Sequence, residues 1–344
     1  MALRKGNAVP RRPGLTLIEI LVVLGIISAL MGVVIPSVSA VRRSARSVQC
    51  LATQADLHNA AMARALSDNE WLPGLNRTGL PLLESVSAAA GVEGDTTPDT
   101  PTSTFDWISP SIGSSVNLSP NRARRTWQIF EDLACPEARR FNDQTFGFSN
   151  DLRGDFLPIL QREGFRQISY LAPATFQYAG PRWPRTRYVR FPFRGPVVPP
   201  ARYLPRLEKV GVQMATKVFV ADGTRYLTAG GVLDFDVDPA PDYYGSFTSS
   251  TPIYSGSTAY GLGPGVRGMD VVGPGREAHA ERRRLSYRHS GSINAVYFDG
   301  HGGSITEEDS RADATPWAPG GSVFTGVAAT PESADHHAEG EVIH

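Results

Sequence analysis

The chain has 344 residues, 41% of them apolar, enough to bury a substantial core in one large or two small domains. Its formal net charge is zero, which removes any global basic field for a nucleic-acid partner and any acidic excess of the kind a polyanion mimic carries. Glycine (34) and proline (27) make up more than a sixth of the chain and argue against a helical bundle; the two cysteines, Cys50 and Cys135, lack the close spacing of a zinc finger or thioredoxin-type motif, so metal-thiolate chemistry is not expected.

Leu15 to Ile35 reads LTLIEILVVLGIISALMGVVI. As a helix rising about 1.5 Å per residue it spans the roughly 30 Å hydrocarbon core of a bilayer. Arg4, Lys5, Arg11 and Arg12 precede it without an acidic residue, as expected of a cytoplasmic n-region. Arg42, Arg43 and Arg46 follow it, so charge counting alone leaves the orientation nearly balanced. A secretory signal would place its cleavage site after the apolar run. Glu19, one turn into the span, costs on the order of 2.5–3.5 kcal/mol by insertion scales unless something pairs with it.

The run R-R-P-G-L-T-L-I-E-I-L-V-V-L-G resembles the class III signal of type IV prepilins and type II secretion pseudopilins, with glycine before the scissile bond and glutamate fifth after it. These positions are Gly14 and Glu19; Leu15 stands where family members most often have phenylalanine. The resemblance implies cleavage between Gly14 and Leu15 by a prepilin peptidase, N-methylation of Leu15, and a 1–14 leader that is removed. It further implies that Glu19 pairs with the terminal amine of a neighbouring subunit during assembly. Gly25, Ala29 and Gly32 are small enough for helices to approach closely there. The rival reading is an ordinary anchor with a tolerated glutamate. The implied location is the bacterial inner membrane, single-pass, with the N-terminus cytoplasmic and the C-terminal domain periplasmic, on its own or in an extracytoplasmic filament. The implied partners are the peptidase and other pilin or pseudopilin subunits.

Pro36 ends residues 15–36, the membrane segment, and resembles the proline that bends pilin-like helices without ending them. Ser37 to Ser67 contains neither proline nor glycine. Val38, Val41, Ala45, Val48, Ala52, Ala55 and Leu57 predict an amphipathic helix over 37–68 that continues into a globular domain over 69–308. Residues 88–104 read as a flexible connection, and 309–344 as a flexible tail in which His336 and His337 hold a metal only adventitiously.

Leu133-Ala134-Cys135-Pro136 resembles the L-x-C-P stretch of large prepilin-like proteins, where it follows a helix cysteine comparable to Cys50. That likeness, the even cysteine count and an oxidising compartment imply a Cys50–Cys135 disulfide, two buried free thiols being the alternative. Eight prolines between Pro173 and Pro205, with Trp183, Tyr188, Phe191, Phe193 and Tyr203 among arginines, predict a long surface excursion. It either fastens itself with aromatic plugs or binds a sugar, a polyanion or another subunit. Asp234, Asp236, Asp238 and Asp242 lie in LDFDVDPAPDYYG. Alternating aspartates share a strand face, which is either solvated or holds Ca2+, as major pseudopilins do; Pro239 and Gly245 break an EF-hand pattern. No other cofactor is expected.

Near the end, Ser290-Gly291-Ser292 and Asp299-Gly300 bracket the β-rich run Ile293–Phe298 and predict a meander of three strands at a sheet edge or end. His289, nine residues, then Asp299-Gly300 resembles the H-X9-DG segment of planctomycete-type large prepilin-like proteins. A strand of about 3.3 Å per residue holds His289 and Asp299 roughly 20 Å apart, so a structural role is expected, with Asp299 and Gly300 making a turn and His289 bonding a loop. Together these readings predict an α+β, pilin-like fold: a long N-terminal helix packed on an antiparallel sheet with loop insertions. The function read from them is a structural pseudopilin or pilin-like subunit of a type II secretion or type IV pilus-like system, not an enzyme. The rivals are a membrane-tethered periplasmic binding module for polysaccharide or protein that never polymerises, and a hydrolase motivated only by His289, Asp299 and His301.

Overall fold

The computed structural model describes residues 16–87, 96–141, 144–145, 153–191, 195–225, 233–234, 237–238, 240–241, 244–262 and 283–344. It divides into two compact units, Met1–Ala45 and Arg46–His344. One helix, α1 (Leu17–Ser67), passes through the boundary with Pro36 inside it. Proline removes one backbone donor and crowds the preceding turn. In that turn the Ser37 hydroxyl donates to the Val34 carbonyl at 2.8 Å and Ser39 to Ile35 at 3.0 Å.

In the first unit every described residue of α1 is exposed, including Leu17, Val33 and Ile35. In the second unit α1 buries Cys50, Gln54, Leu57, His58, Ala61 and Ala65. Their spacing of three and four residues makes a single helical stripe. It is rotated from the predicted one: Val48 is 65% exposed, and Leu57 is the one fully buried residue the two share. Polar Gln54 and His58 sit on the buried face because the sheet supplies partners for them, a signal that hydropathy alone cannot register.

Those partners come from a five-stranded sheet among the described residues. Its strands are β1 (Tyr170–Pro173), β3 (Val218–Asp222), β4 (Thr248–Ser249), β5 (Ser292–Tyr297) and β6 (Gly302–Thr306), in the spatial order β6-β5-β3-β1-β4. A smaller strand, β2 (Val197–Val198), belongs to a second sheet described below. Neighbours in the large sheet are antiparallel except β1 and β4, which are parallel. All five residues of β3 are buried, as suits a central strand covered on both faces. The α+β class and the antiparallel-rich sheet behind one long apolar helix agree with a pilin-like fold.

The helix meets this sheet through named contacts. Asn294 on β5 donates to the Ser47 carbonyl at 3.0 Å, and His58 Nε2 lies 3.2 Å from the Phe298 carbonyl oxygen. Leu51 fills the space above Gly302 on β6, where an added Cβ would stand 2.8 Å from Leu51 Cδ1. Behind this contact Trp107, Phe219, Phe298 and Phe176 form a chain of aromatic pairs with centroids 4.9–5.3 Å apart. Such pairs each add about 0.5–1.5 kcal/mol beyond area burial.

The predicted three-strand meander is a two-strand hairpin, β5–β6, at the sheet edge; residues 283–286 ahead of it are helical. The third strand beside β5 is β3, distant in sequence, which local pattern cannot foresee. The predicted flexible tail is ordered. It forms helices α2 (Glu307–Ala312) and α3 (Pro331–His336) and strands β7 (Ser322–Phe324) and β8 (Val342–Ile343). Strand β7 pairs with both β8 and β2, and Trp317 is fully buried. Trp317, Phe324 and Ile343, spread thinly through polar sequence, reach the core, whereas Val323, Val327 and Val342 stay exposed. Of 88–104, residues 96–104 are described, and Thr102, Ser103 and Thr104 are buried against Asp106, whose Oδ2 accepts from the Thr102 amide at 2.8 Å.

Candidate functional site

The helix start carries the first site. Thr16 and Glu19 form a reciprocal capping box: the Thr16 amide and hydroxyl donate to Glu19 Oε2 at 2.7 and 2.9 Å, while the Glu19 amide reaches Thr16 Oγ at 3.4 Å. This T-x-x-E arrangement satisfies backbone donors that a helix start leaves open. Glu19 therefore has a partner inside its own chain, where the sequence pointed only to the amine of a neighbouring subunit. Beyond it, Gly25 and Gly32 have nothing within 4 Å of where a Cβ would be, so the helix offers open, close-approach positions. Gly14 and Leu15, the expected cleavage pair, lie outside the described residues.

A second site is buried under α1. The Cys50 thiol on α1 donates to Asp222 Oδ1 at 3.1 Å. Asp222, the last residue of β3, is completely buried and also accepts from Gln54 Nε2 at 3.0 Å, Arg288 Nη2 at 3.0 Å and the Asn294 amide at 2.8 Å. His289, in the turn before β5, points Nε2 at two atoms at once: Asp222 Oδ2 at 3.3 Å and Cys135 Sγ at 3.3 Å. Cys135 follows a helix in the chain's middle, Arg122–Asp132, whose start is capped by Asn121 accepting from the Arg124 amide at 3.0 Å. The ligand-capable atoms of Cys50, Cys135, Asp222 and His289 all lie within 4.8 Å of one another.

Electrostatics bind this cluster together. Burial raises the Asp222 carboxyl's pKa, against the opposing charge of Arg288. Burial opposes the Arg288 charge as well, but Asp222 and the sulfurs outweigh it and the guanidinium is held protonated. A buried pair of this kind is strongly destabilising to break, because the survivor is left uncompensated. Burial raises the Cys50 thiol, whereas hydrogen bonds from Cys50 and His289 lower Cys135. For His289 burial favours the neutral ring, yet the Cys135 sulfur and the Asp222 carboxylate overcome it and raise the pKa.

A family model described as the prokaryotic N-terminal methylation motif matches residues 10–35. No curated protein and no solved structure matches the chain. The N-terminal segment is thus prepilin-like, which implies processing by prepilin peptidase, and the apolar start of α1 suggests a single-pass membrane anchor.

The other expected residues fall out differently. Cys50 and Cys135 are brought together but are free thiols, not the expected disulfide; the Cys50 thiol also faces Asp222, and His289 Nε2 lies 3.3 Å from Cys135 Sγ. His289 and Asp299 are not brought together. Asp299 sits in the exposed β5–β6 turn, where its Oδ1 lies 2.7 Å from His301 Nδ1, and Gly300 takes a positive φ of 91°. Of the aspartates, Asp236 and Asp242 lie outside the described residues; Asp234 pairs through its backbone with Thr145, and Asp238 stands near the Arg122 guanidinium. In the proline-rich segment, Trp183 and Trp71 both pack on Tyr188, Phe191 packs on Tyr178, and the Tyr203 hydroxyl donates to the Phe176 carbonyl at 3.1 Å. His337 is buried and accepts from the Ala314 amide at 2.9 Å, a structural bond. Sequence reasoning missed Asp222, Arg288 and Gln54, since none stands in a recognisable motif; only the i, i+4 spacing of Cys50 and Gln54 on a buried face hinted at them.

Proposed function

We propose that this protein is a structural, non-catalytic subunit, major or minor, of a type II secretion pseudopilus or a type IV pilus-like filament. The observation that carries the reading is the exposed apolar first half of α1, which begins with the Thr16–Glu19 capping box inside the matched motif. Exposed apolar surface of this extent needs lipid or neighbouring helices to cover it. After cleavage, the new amine at Leu15 would lie beside a carboxylate already oriented by Thr16, ready to exchange an internal partner for a neighbouring subunit's. The H-X9-DG likeness to large planctomycete-type prepilin-like proteins fits the same assignment, with Asp299 and Gly300 in a turn and His289 inside the fold.

A second reading, a tethered binding module that never polymerises, is favoured by one feature. Arg182, Arg185 and Arg187 are exposed next to the half-buried Trp183 and Tyr188, a surface suited to an anionic polysaccharide. One experiment separates the outcomes: intact mass and N-terminal sequencing of the membrane-extracted protein, with Gly14→Ala alongside, followed by fractionation of sheared filaments. The filament reading expects N-methyl-Leu15 in the wild type, the uncut chain in the variant, and wild-type protein in the filament fraction. Processed protein confined to the membrane would favour the tether; an uncut wild-type terminus would refute both.

A further inference from the structure

We propose that Cys50, Cys135, Asp222 and His289 form a tetrahedral Zn2+ site that pins the second half of α1 to the sheet, a site independent of whether the protein polymerises. The chemistry of the set is a thiolate pair, an imidazole and a carboxylate, each a donor type that zinc binds and together the four that a closed tetrahedral site needs. Zinc bonds of about 2.0–2.3 Å give tetrahedral edges of roughly 3.3–3.8 Å. His289 Nε2 lies 3.3 Å from both Asp222 Oδ2 and Cys135 Sγ, at the short end of that range, Cys50 Sγ lies 3.1 Å from the other carboxylate oxygen, and all four ligand atoms fall within 4.8 Å of one another, so small side-chain shifts close the tetrahedron.

Three further features point to an ion. One imidazole nitrogen can direct a single proton, yet His289 Nε2 faces two acceptors at equal distance; a cation between them satisfies all three atoms at once. The hydroxyl of Tyr170, buried on β1, faces the Cys50 sulfur, which is only a weak acceptor as a neutral thiol. A zinc-bound thiolate there would be a strong one. The remaining partners are already arranged as an outer layer, with Gln54, Arg288 and the Asn294 amide fixing the carboxylate.

Charge also closes. Zn2+ enters, the Cys50 and Cys135 thiols each lose a proton to solvent, and His289 binds through neutral Nε2. Two thiolates, one carboxylate and the dication leave one negative charge, which the buried Arg288 neutralises. The ligands come from a helix, a loop, a strand end and a turn, so the ion cross-links parts of the chain that local sequence does not join.

The test uses the full-length protein extracted in detergent and incubated with Zn2+ or Co2+ alone. The proposal expects one zinc per chain by elemental analysis, a thiolate-to-cobalt charge-transfer band with tetrahedral ligand-field bands, and two thiols that become titratable only after chelation. It also expects at least a tenfold loss of affinity in Cys135→Ser and in His289→Gln, each compared with the wild type by retained circular dichroism. A wild-type mass lower by two hydrogens with no metal would show a disulfide and overturn the proposal. Two thiols that titrate freely and yield no cobalt band would overturn it equally, and both of these readouts are taken on the wild type, so they do not depend on any variant folding.

Discussion

Gly300 takes a φ of 91° in the β5–β6 turn, and a Cβ there would approach His58 Cε1 to 3.3 Å. A side chain in that backbone region costs about 1–2 kcal/mol, and the close approach adds to it. Gly300→Ala is therefore expected to lower the urea midpoint of the detergent-solubilised protein by a corresponding amount, with the unfolding slope unchanged. Gly291, also at positive φ but with nothing within 4 Å, should respond less to the same substitution, which separates backbone strain from the clash with the helix. At this scale the sequence was readable where chemistry is local: the Asp299-Gly300 turn is visible as a dipeptide, and Glu19, one turn into the apolar span, stands out as a carboxylate that needs a partner. Asp222 was not, because its meaning arises from five donors that arrive from other elements.

Helix α1 has two characters because it has two environments. Its first turns carry apolar residues on every side, which only an apolar surround tolerates, while its second half shows one buried stripe. Ala61 and Ala65 are completely buried, so the helix packs closely at the positions where its side chains are smallest. Ala61→Leu should cost about 1–3 kcal/mol by overpacking, whereas Val48→Ala, on an exposed position, should stay within about 0.5 kcal/mol. Thermal unfolding of the two variants side by side checks whether the buried face is the Cys50–Gln54–Leu57–His58–Ala61 stripe or the more apolar one containing Val41 and Val48. Hydropathy pointed to the latter because valine is more apolar than glutamine or histidine, and it could not see the hydrogen bonds that make the polar face the better one to bury.

For the molecule as a whole, the C-terminal segment is part of the core rather than an appendage. Lys217, next to β3, is buried, and its Nζ donates to the carbonyls of Thr315 at 2.8 Å and His344 at 2.7 Å. Burial lowers its pKa from 10.5 to about 8, with Asp313 opposing the shift. Between those values the unfolded chain binds more protons at this residue than the folded one, so stability should rise with pH across the window. Below about pH 8 the cost of burying the charge is carried in full. Lys217→Met is expected to remove this rise, measured as the difference in urea midpoint between pH 8 and 10; an unchanged slope would mean that the lysine is not buried as a charge.

The sequence by itself determined the features that depend on neighbours along the chain: the apolar helix, its motif and the hairpin turn at Asp299 and Gly300. These need only periodicity and turn chemistry, which act over a few residues. The tertiary structure alone decided which face of α1 is buried, that the region after Asp309 is folded, and that two cysteines too far apart for a metal motif meet a histidine and an aspartate in one buried cluster. The reason is the same in each case. A sheet whose central strand β3 pairs with β1 and β5 gathers residues from positions 50 to 289, and no local spacing encodes contacts made across that distance.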